Sequence, residues 1–304
     1  MSALRIIRGS ANPSLADAVV ARVGGQSPEC CDAQPTTGGE RRVVVADVSG
    51  DDVYIVQPTS PPVGEHMVEL LLLIDACRRA GADRITAVVP YFGYARQDRG
   101  TVAGEAIGAR VAAEAIAHAG ADRLVVVDPH TPALEAICPV PVEILTAVPL
   151  LASELEPAMI GRGVVVAPDL GAGERAEHFA AALRASVAVV RKHRMSDTSV
   201  RALDLLGEVT GCPVALVDDM ICTGATIEAA AHLVRYRAAD TLVAATHGPL
   251  TEGAAARLHE LGLRRIVVTD SVFHDADTGK IEVCSIAPLL GDTIIRLHED
   301  RRRG

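Results

Sequence analysis

The sequence predicts an α/β protein with two successive sets of mainly parallel strands flanked by helices. Three observations predict it. Helical and β-branched segments alternate along the 304 residues. Most of the apolar runs are continuous rather than alternating, the pattern of strands buried on both faces. A short motif also recurs between a helix and the strand after it: AGADRI at 80–85 precedes the run 86–89, AGADRL at 119–124 precedes 125–127, and AADTLV at 238–243 resembles both. A helix that ends at a small residue and feeds a strand, repeated, implies parallel pairing with helices on both faces.

Taken in order, helical periodicity marks 65–79 and 105–119, and strands are expected at 43–48, 53–57, 164–167, 187–190, 214–217 and 266–269. The stretch 24–40 (GGQSPECCDAQPTTGGE) is the least regular and reads as a loop. A second strand-and-helix set begins around 146–156, so the domains are expected at 1–145 and 146–304. The length suffices for two cores.

Composition narrows the function. The net charge is −10 and aromatic residues make up 2%, with no Trp. That argues against a basic nucleic-acid footprint and against an aromatic platform for single strands. The apolar run 70–74 is too short to span a bilayer, and no membrane partner is expected. Seven cysteines, an odd number without a C-x-x-C pair, indicate a reducing, cytoplasmic compartment. Arg301, Arg302 and Arg303 read as a solvated tail. Only Lys192 and Lys280 are lysines, so Arg fills 27 of the 29 basic positions.

Parallel open sheets bind ligands beyond the carboxyl ends of their strands, and the unusual polar clusters fall there. The sharpest is VALVDDMICTGATIEAAAHL, 214–233. A strand runs into Asp218 and Asp219, then a short loop with Thr223, Gly224, Ala225 and Thr226, then an Ala-rich helix. Small residues let the backbone approach a phosphate, and the helix N-terminus adds donors and positive partial charge. Two carboxylates beside a phosphate make sense as acceptors for ribose hydroxyls; an acidic turn capping a helix is the plainer alternative.

This segment resembles the phosphoribosyl-pyrophosphate loop of phosphoribosyltransferases and ribose-phosphate pyrophosphokinases. SANPSLADAVVARVG, DDVYIVQ, VPYFGYARQDR, VVDPHTP, APDLG, VRKHR, AATHG and VTDSV resemble pyrophosphokinase segments in order, from about residue 8 to 298. The resemblance implies two tandem phosphoribosyltransferase-like domains with the active site in the cleft between them. It implies Mg2+-dependent transfer of the pyrophosphoryl group of ATP to the anomeric hydroxyl of ribose 5-phosphate, giving phosphoribosyl pyrophosphate and AMP. Asp218 and Asp219 then hold the ribose hydroxyls, while Cys222, Thr223, Gly224, Ala225 and Thr226 form the 5-phosphate loop. Arg96, Gln97, Asp98 and Glu40 match the ATP side, and His130 and Asp169 match residues that bind the Mg–ATP unit. Lys192 and Arg194 match a catalytic pair on a mobile loop; two residues apart on an extended segment, they share a face. In an Arg-rich chain, a Lys at that position suggests a need for a compact ammonium.

The chain departs from the family's pattern in places. Where the adenine loop commonly reads F-x-D-G-E, this chain has TTGGE, with Thr36, Gly38 and Glu40 in the three key places. Cys222 replaces a loop acid. In the family's oligomers the adenine loop comes from a neighbouring subunit, so a homo-oligomer, a dimer or a multiple of it, is implied. A catalytically weak regulatory homologue and a phosphoribosyltransferase are the alternatives. His247 reads as structural, and His66 and His118 carry no assignment.

Overall fold

The computed structural model describes residues 2–24, 29–30, 34–35, 40–194, 200–251, 253–274 and 279–303; side chains at 29–30, 34–35, 192–194 and 200–203 are outside the description. The chain forms two compact units. One comprises Met1–Leu145, Ser271–Phe273 and Ser285–Gly304, the other Thr146–Asp270 and His274–Cys284.

The first unit begins with β1 (Leu4–Arg8) and α1 (Pro13–Val23), followed by the two-residue strands β2 (Glu29–Cys30), β3 (Gln34–Pro35) and β4 (Arg41–Arg42). Then come β5 (Asp52–Val56), α2 (Val63–Arg79), β6 (Arg84–Val89), α3 (Gly108–Ala119), β7 (Arg123–Val127), α4 (Leu134–Ile137) and β8 (Val142–Leu145). Six strands form one sheet in the order β2-β1-β5-β6-β7-β8, and every pair in it is parallel. Ile55, Ile85, Ala87, Leu124 and Val126 pack with Leu70, Leu73, Ile74 and Ile116 in a single core; each such aliphatic side chain contributes roughly 1.5–3 kcal/mol on burial.

The repeated AGADR motif has a clear structural role. Gly81 follows α2 at φ 83° and Gly120 closes α3 at φ 116°, the left-handed conformation that ends a helix at least cost in glycine. The Asp122 carboxylate then accepts from the Ile85 amide at 2.8 Å, which ties the entry of β7 to β6.

The second unit contains α5 (Val148–Met159), β9 (Val164–Ala167), α6 (Gly173–Leu183), β10 (Ser186–Arg194), β11 (Val200–Leu206), β12 (Pro213–Met220), α7 (Ala225–Val234), β13 (Asp240–His247), α8 (Ala254–His259), β14 (Arg265–Thr269) and β15 (Ile281–Cys284). Its seven-stranded sheet runs β11-β10-β9-β12-β13-β14-β15. Only the edge pair β10–β11 is antiparallel. The α/β class with mainly parallel sheets is as the sequence predicts.

Three expectations are corrected. The C-terminal helix α9 (Ala287–Arg303) belongs to the first unit, so the second domain does not run to 304. It packs on α1, and a Cβ at Gly291 would come within 2.5 Å of Arg22 Cγ. Arg301–Arg303 therefore form its last turn rather than a tail, and Arg301 pairs with Asp83. Finally, 43–48 has apolar residues but no strand; Val43 and Val45 instead pack, partly buried, against the core of the first unit. Among the described residues no helix is long and apolar enough to cross a membrane.

Candidate active site

In the second unit the carboxyl ends of β9 and β12 converge on acidic side chains. β12 is buried from Val214 to Val217 and continues into Asp218, Asp219 and Met220. The Asp218 carboxylate accepts from the Asp219 amide at 2.9 Å, and the Asp219 carboxylate from the Met220 amide at 2.8 Å. Each acid thus fixes the turn that carries it. Burial pushes the Asp218 carboxyl well above the usual carboxylate range, and the negative charges of Asp219 and Asp169 push it the same way. A hydroxyl donor or cation brought to this pair would relieve that repulsion.

The loop after the acids is pinned from below. The Ile221 amide donates to the His247 carbonyl at 2.8 Å, and the Cys222 carbonyl accepts from the Thr251 amide at 3.0 Å and hydroxyl at 3.1 Å. His247 itself is buried. Gly224 sits at φ 75° immediately before α7, and the Thr223 hydroxyl accepts from the Ala225 amide at 3.4 Å. A left-handed glycine at the mouth of a ten-residue helix aims successive amides outward, the arrangement that receives an anion. Thr226 lies in the first turn of α7.

Asp169 follows β9 and caps a short 3-10 turn, Leu170–Ala172, accepting from the Ala172 amide at 2.9 Å. Its charge is felt at Asp218. The backbones of Lys192 and Arg194 are strand, in β10, opposite Ala202 and Val200 of β11, with a register shift between Arg191 and Lys192. The loop expected there is strand at these two residues; their side chains lie outside the described residues.

In the first unit the loops after β6 and β7 stand next to each other. Gly93, in the first, fits where a Cβ would approach Val63 Cγ1 to 2.6 Å, and its amide donates to Thr59 Oγ1 at 2.7 Å. Tyr94 adopts φ 68°, a rare conformation for an aromatic residue. Its carbonyl accepts from the Gln97 amide at 2.8 Å, and the Gln97 carbonyl accepts from Ala109 at 3.1 Å. A Cβ at Gly108 would come within 2.4 Å of Gln97 Oε1, so the glycine leaves room for the Gln97 side chain in its present place.

Asp98 is the hinge of this region. Its side chain is 7% exposed and pairs with Arg99 through two bonds of 2.9 and 2.8 Å. Arg99, then the hydroxyl of Thr131 and the charge of His130, hold the Asp98 carboxyl below the usual range. Asp98 thereby ties the Arg96–Gln97 segment to the loop of His130. Arg96 and His130 are both exposed.

Glu40 is exposed at the start of β4, attached through its neighbour Arg41 to the loop after β1. Thr36 and Gly38 lie outside the described residues. Tyr91 and Phe92, the other aromatics after β6, are buried. Sequence reasoning missed Glu69 and Gln57, both fully buried. They hold consecutive amides of the loop after β1, Ser10 at 2.8 Å and Ala11 at 3.0 Å. The only signal was an acid within the apolar stretch MVELLLLI.

Two family models match the chain: the N-terminal domain of ribose phosphate pyrophosphokinase over residues 4–120 and the phosphoribosyl synthetase-associated domain over 195–303. A ribose-phosphate pyrophosphokinase of Gloeobacter violaceus is 40% identical over 98% of this chain and 91% of its own length. One of Parasynechococcus marenigrum is 38% identical with the same coverage. The crystal structure of phosphoribosylpyrophosphate synthetase from Mycobacterium smegmatis is 36% identical and superimposes with a TM-score of 0.92, covering 98% of this chain and 100% of that one. On these grounds the chain belongs to the ribose-phosphate pyrophosphokinase family.

Proposed function

We propose that the chain transfers the β,γ-pyrophosphoryl group of ATP to the anomeric hydroxyl of ribose 5-phosphate, giving phosphoribosyl pyrophosphate and AMP. The observation that carries the reading is the strand-to-helix turn of β12 and α7. Two carboxylates there precede a left-handed glycine and a helix N-terminus, which suits a ribose phosphate and little else. In this reading Asp218 and Asp219 accept from the ribose hydroxyls, and Cys222, Thr223, Gly224, Ala225 and Thr226 receive the 5-phosphate. The 5-phosphate end of the substrate is thus assigned to the second unit and ATP to the first.

On the ATP side, Arg96, Gln97 and Glu40 contact the nucleotide, and Asp98 ties the segment that carries Arg96 to the loop of His130. Lys192 and Arg194 are assigned to the transferring group. Transfer of this kind depends on positioning and on neutralising charge that spreads over the phosphoryl oxygens. A compact ammonium and a planar guanidinium suit that task without proton transfer.

Mg2+ is the implied cofactor. Among the described residues no group of three His, Cys, Asp or Glu side chains gathers to cage an ion, and Mg2+ carried on nucleotide phosphates needs only one or two protein ligands. The carboxylate of Asp169, in the second unit, fits that requirement, and His130, in the first, is assigned to the nucleotide. The ion, when bound, supplies Lewis-acid neutralisation of the phosphate oxygens. A cytoplasmic homo-oligomer completes the proposal. The test is AMP release from Mg–ATP on addition of ribose 5-phosphate. No AMP from Mg–ATP, together with pyrophosphate release from phosphoribosyl pyrophosphate on addition of a nucleobase, would instead make the chain a phosphoribosyltransferase.

A further inference from the structure

Glu69 is a buried charge for which the proposed chemistry has no use. It sits on α2 beside Leu70 and Leu73 with none of its surface exposed. Its carboxylate accepts three kinds of donor: the Ser10 amide at 2.8 Å, the Ser10 hydroxyl at 2.5 Å and Arg41 Nη1 at 2.9 Å. Arg41 Nη1 also donates to the Ser10 hydroxyl at 3.1 Å, and its other terminal nitrogen lies 3.8 Å from Glu65. Three segments distant in sequence, at 10, 41 and 69, therefore meet on one carboxylate.

The position of this cluster argues for a role in the site. Ser10 follows β1 at its carboxyl end, and the neighbouring Ala11 amide is held by Gln57, which follows β5 at the same edge. That edge also carries the loops of Arg96 and His130 on β6 and β7. Burying a carboxylate is expensive, and a well-packed apolar side chain at such a position often stabilises as much or more. A charge retained there fits a demand for fixed geometry. What it holds is the guanidinium of Arg41, one residue beyond Glu40, and the amide of Ser10.

We infer that Glu69 is a positioning residue for nucleotide binding: through Arg41 it sets the place of Glu40 against the loop after β1. The inference rests on the proposed assignment of ATP to the first unit. It is tested in the full-length protein with Glu69→Gln, which keeps the shape and removes the charge, and with Arg41→Gln, whose side chain is 25% exposed and whose loss leaves the core packing intact. AMP release is measured against Mg–ATP at saturating ribose 5-phosphate, and then with the two substrates exchanged.

Each variant is expected to raise the KM for ATP about tenfold, the loss of one charge-assisted hydrogen bond, and to leave the KM for ribose 5-phosphate within about twofold. Because both changes break one link, the double variant is expected to be no worse than the worse single one. An unchanged KM for ATP in both variants overturns the inference. So does a parallel rise in both KM values accompanied by a lowered melting temperature, which marks a merely structural residue. A wild type that releases no AMP overturns the reading beneath it, an outcome recognised before any variant is made.

Discussion

Replacing Asp52 by Asn tests how the C-terminal helix is held. Asp52 opens β5 at the sheet edge opposite the proposed site, and its side chain is fully buried. It accepts from Arg84 Nε and Nη2 at 2.7 Å each, from the Tyr54 hydroxyl at 3.1 Å and from His298 Nδ1 of α9 at 2.7 Å. Arg84 also donates to the Leu297 carbonyl of α9 at 3.1 Å. Burial, and secondarily the Asp52 charge, pushes the Tyr54 phenol well up, so it remains a donor. Asn keeps one acceptor but turns an NH2 toward the donors of Arg84 and strips that guanidinium of its counter-charge.

Removing one partner of a buried pair costs about 3–5 kcal/mol. The lower end applies here, because Arg84 keeps 18% of its side chain exposed and can recruit water. At roughly 2–4 °C per kcal/mol for a unit of this size, a loss of about 3 kcal/mol lowers the melting temperature by about 6–12 °C. Thermal unfolding by circular dichroism measures it. Asp75→Asn serves as the control, since Asp75 pairs with an Arg79 that is 79% exposed and should matter by less than about 0.5 kcal/mol. Equal shifts for the two variants, or a shift below about 2 °C for Asp52→Asn, would refute the reasoning. So would loss of turnover at 25 °C with unchanged stability.

Two further predictions concern the site. Asp219→Asn is expected to raise the KM for ribose 5-phosphate more than that for ATP, read from initial rates of AMP formation; an unchanged sugar KM, with one limb lost from the pH profile, would make Asp219 a proton acceptor instead. Lys192→Ala is expected to lower kcat at least about a hundredfold, as for loss of a preorganised charge stabiliser, with little change in the sugar KM. Lys192→Arg is expected to remain impaired, and near-normal turnover in it would remove the case for a point charge.

The parts of this protein that could be read from sequence are those encoded locally. The AGADR repeats announce helix ends because Gly81 and Gly120 supply the left-handed turn within the motif itself. The strand, acid pair, loop and helix of 214–233 lie in one continuous segment, so their order in sequence is their order in space. Parts built by distant pairing were not readable. Residues 43–48 have strand composition, yet they form no strand and Val43 and Val45 pack against the core instead. The place of α9 depends on Gly291 against Arg22 and on His298 reaching Asp52, 246 residues away. Glu69 looks like an interruption of an apolar helix until its partners, 59 and 28 residues distant, are seen together.

The central claim is tested most directly by incubating the purified protein with Mg–ATP and ribose 5-phosphate and resolving the nucleotides and sugar phosphates by chromatography. The account predicts AMP and phosphoribosyl pyrophosphate in equal amounts, with no ADP, no requirement for a nucleobase, and loss of both products when EDTA is in excess of Mg2+. Formation of ADP and a ribose bisphosphate, or no AMP above the rate without ribose 5-phosphate, would contradict it.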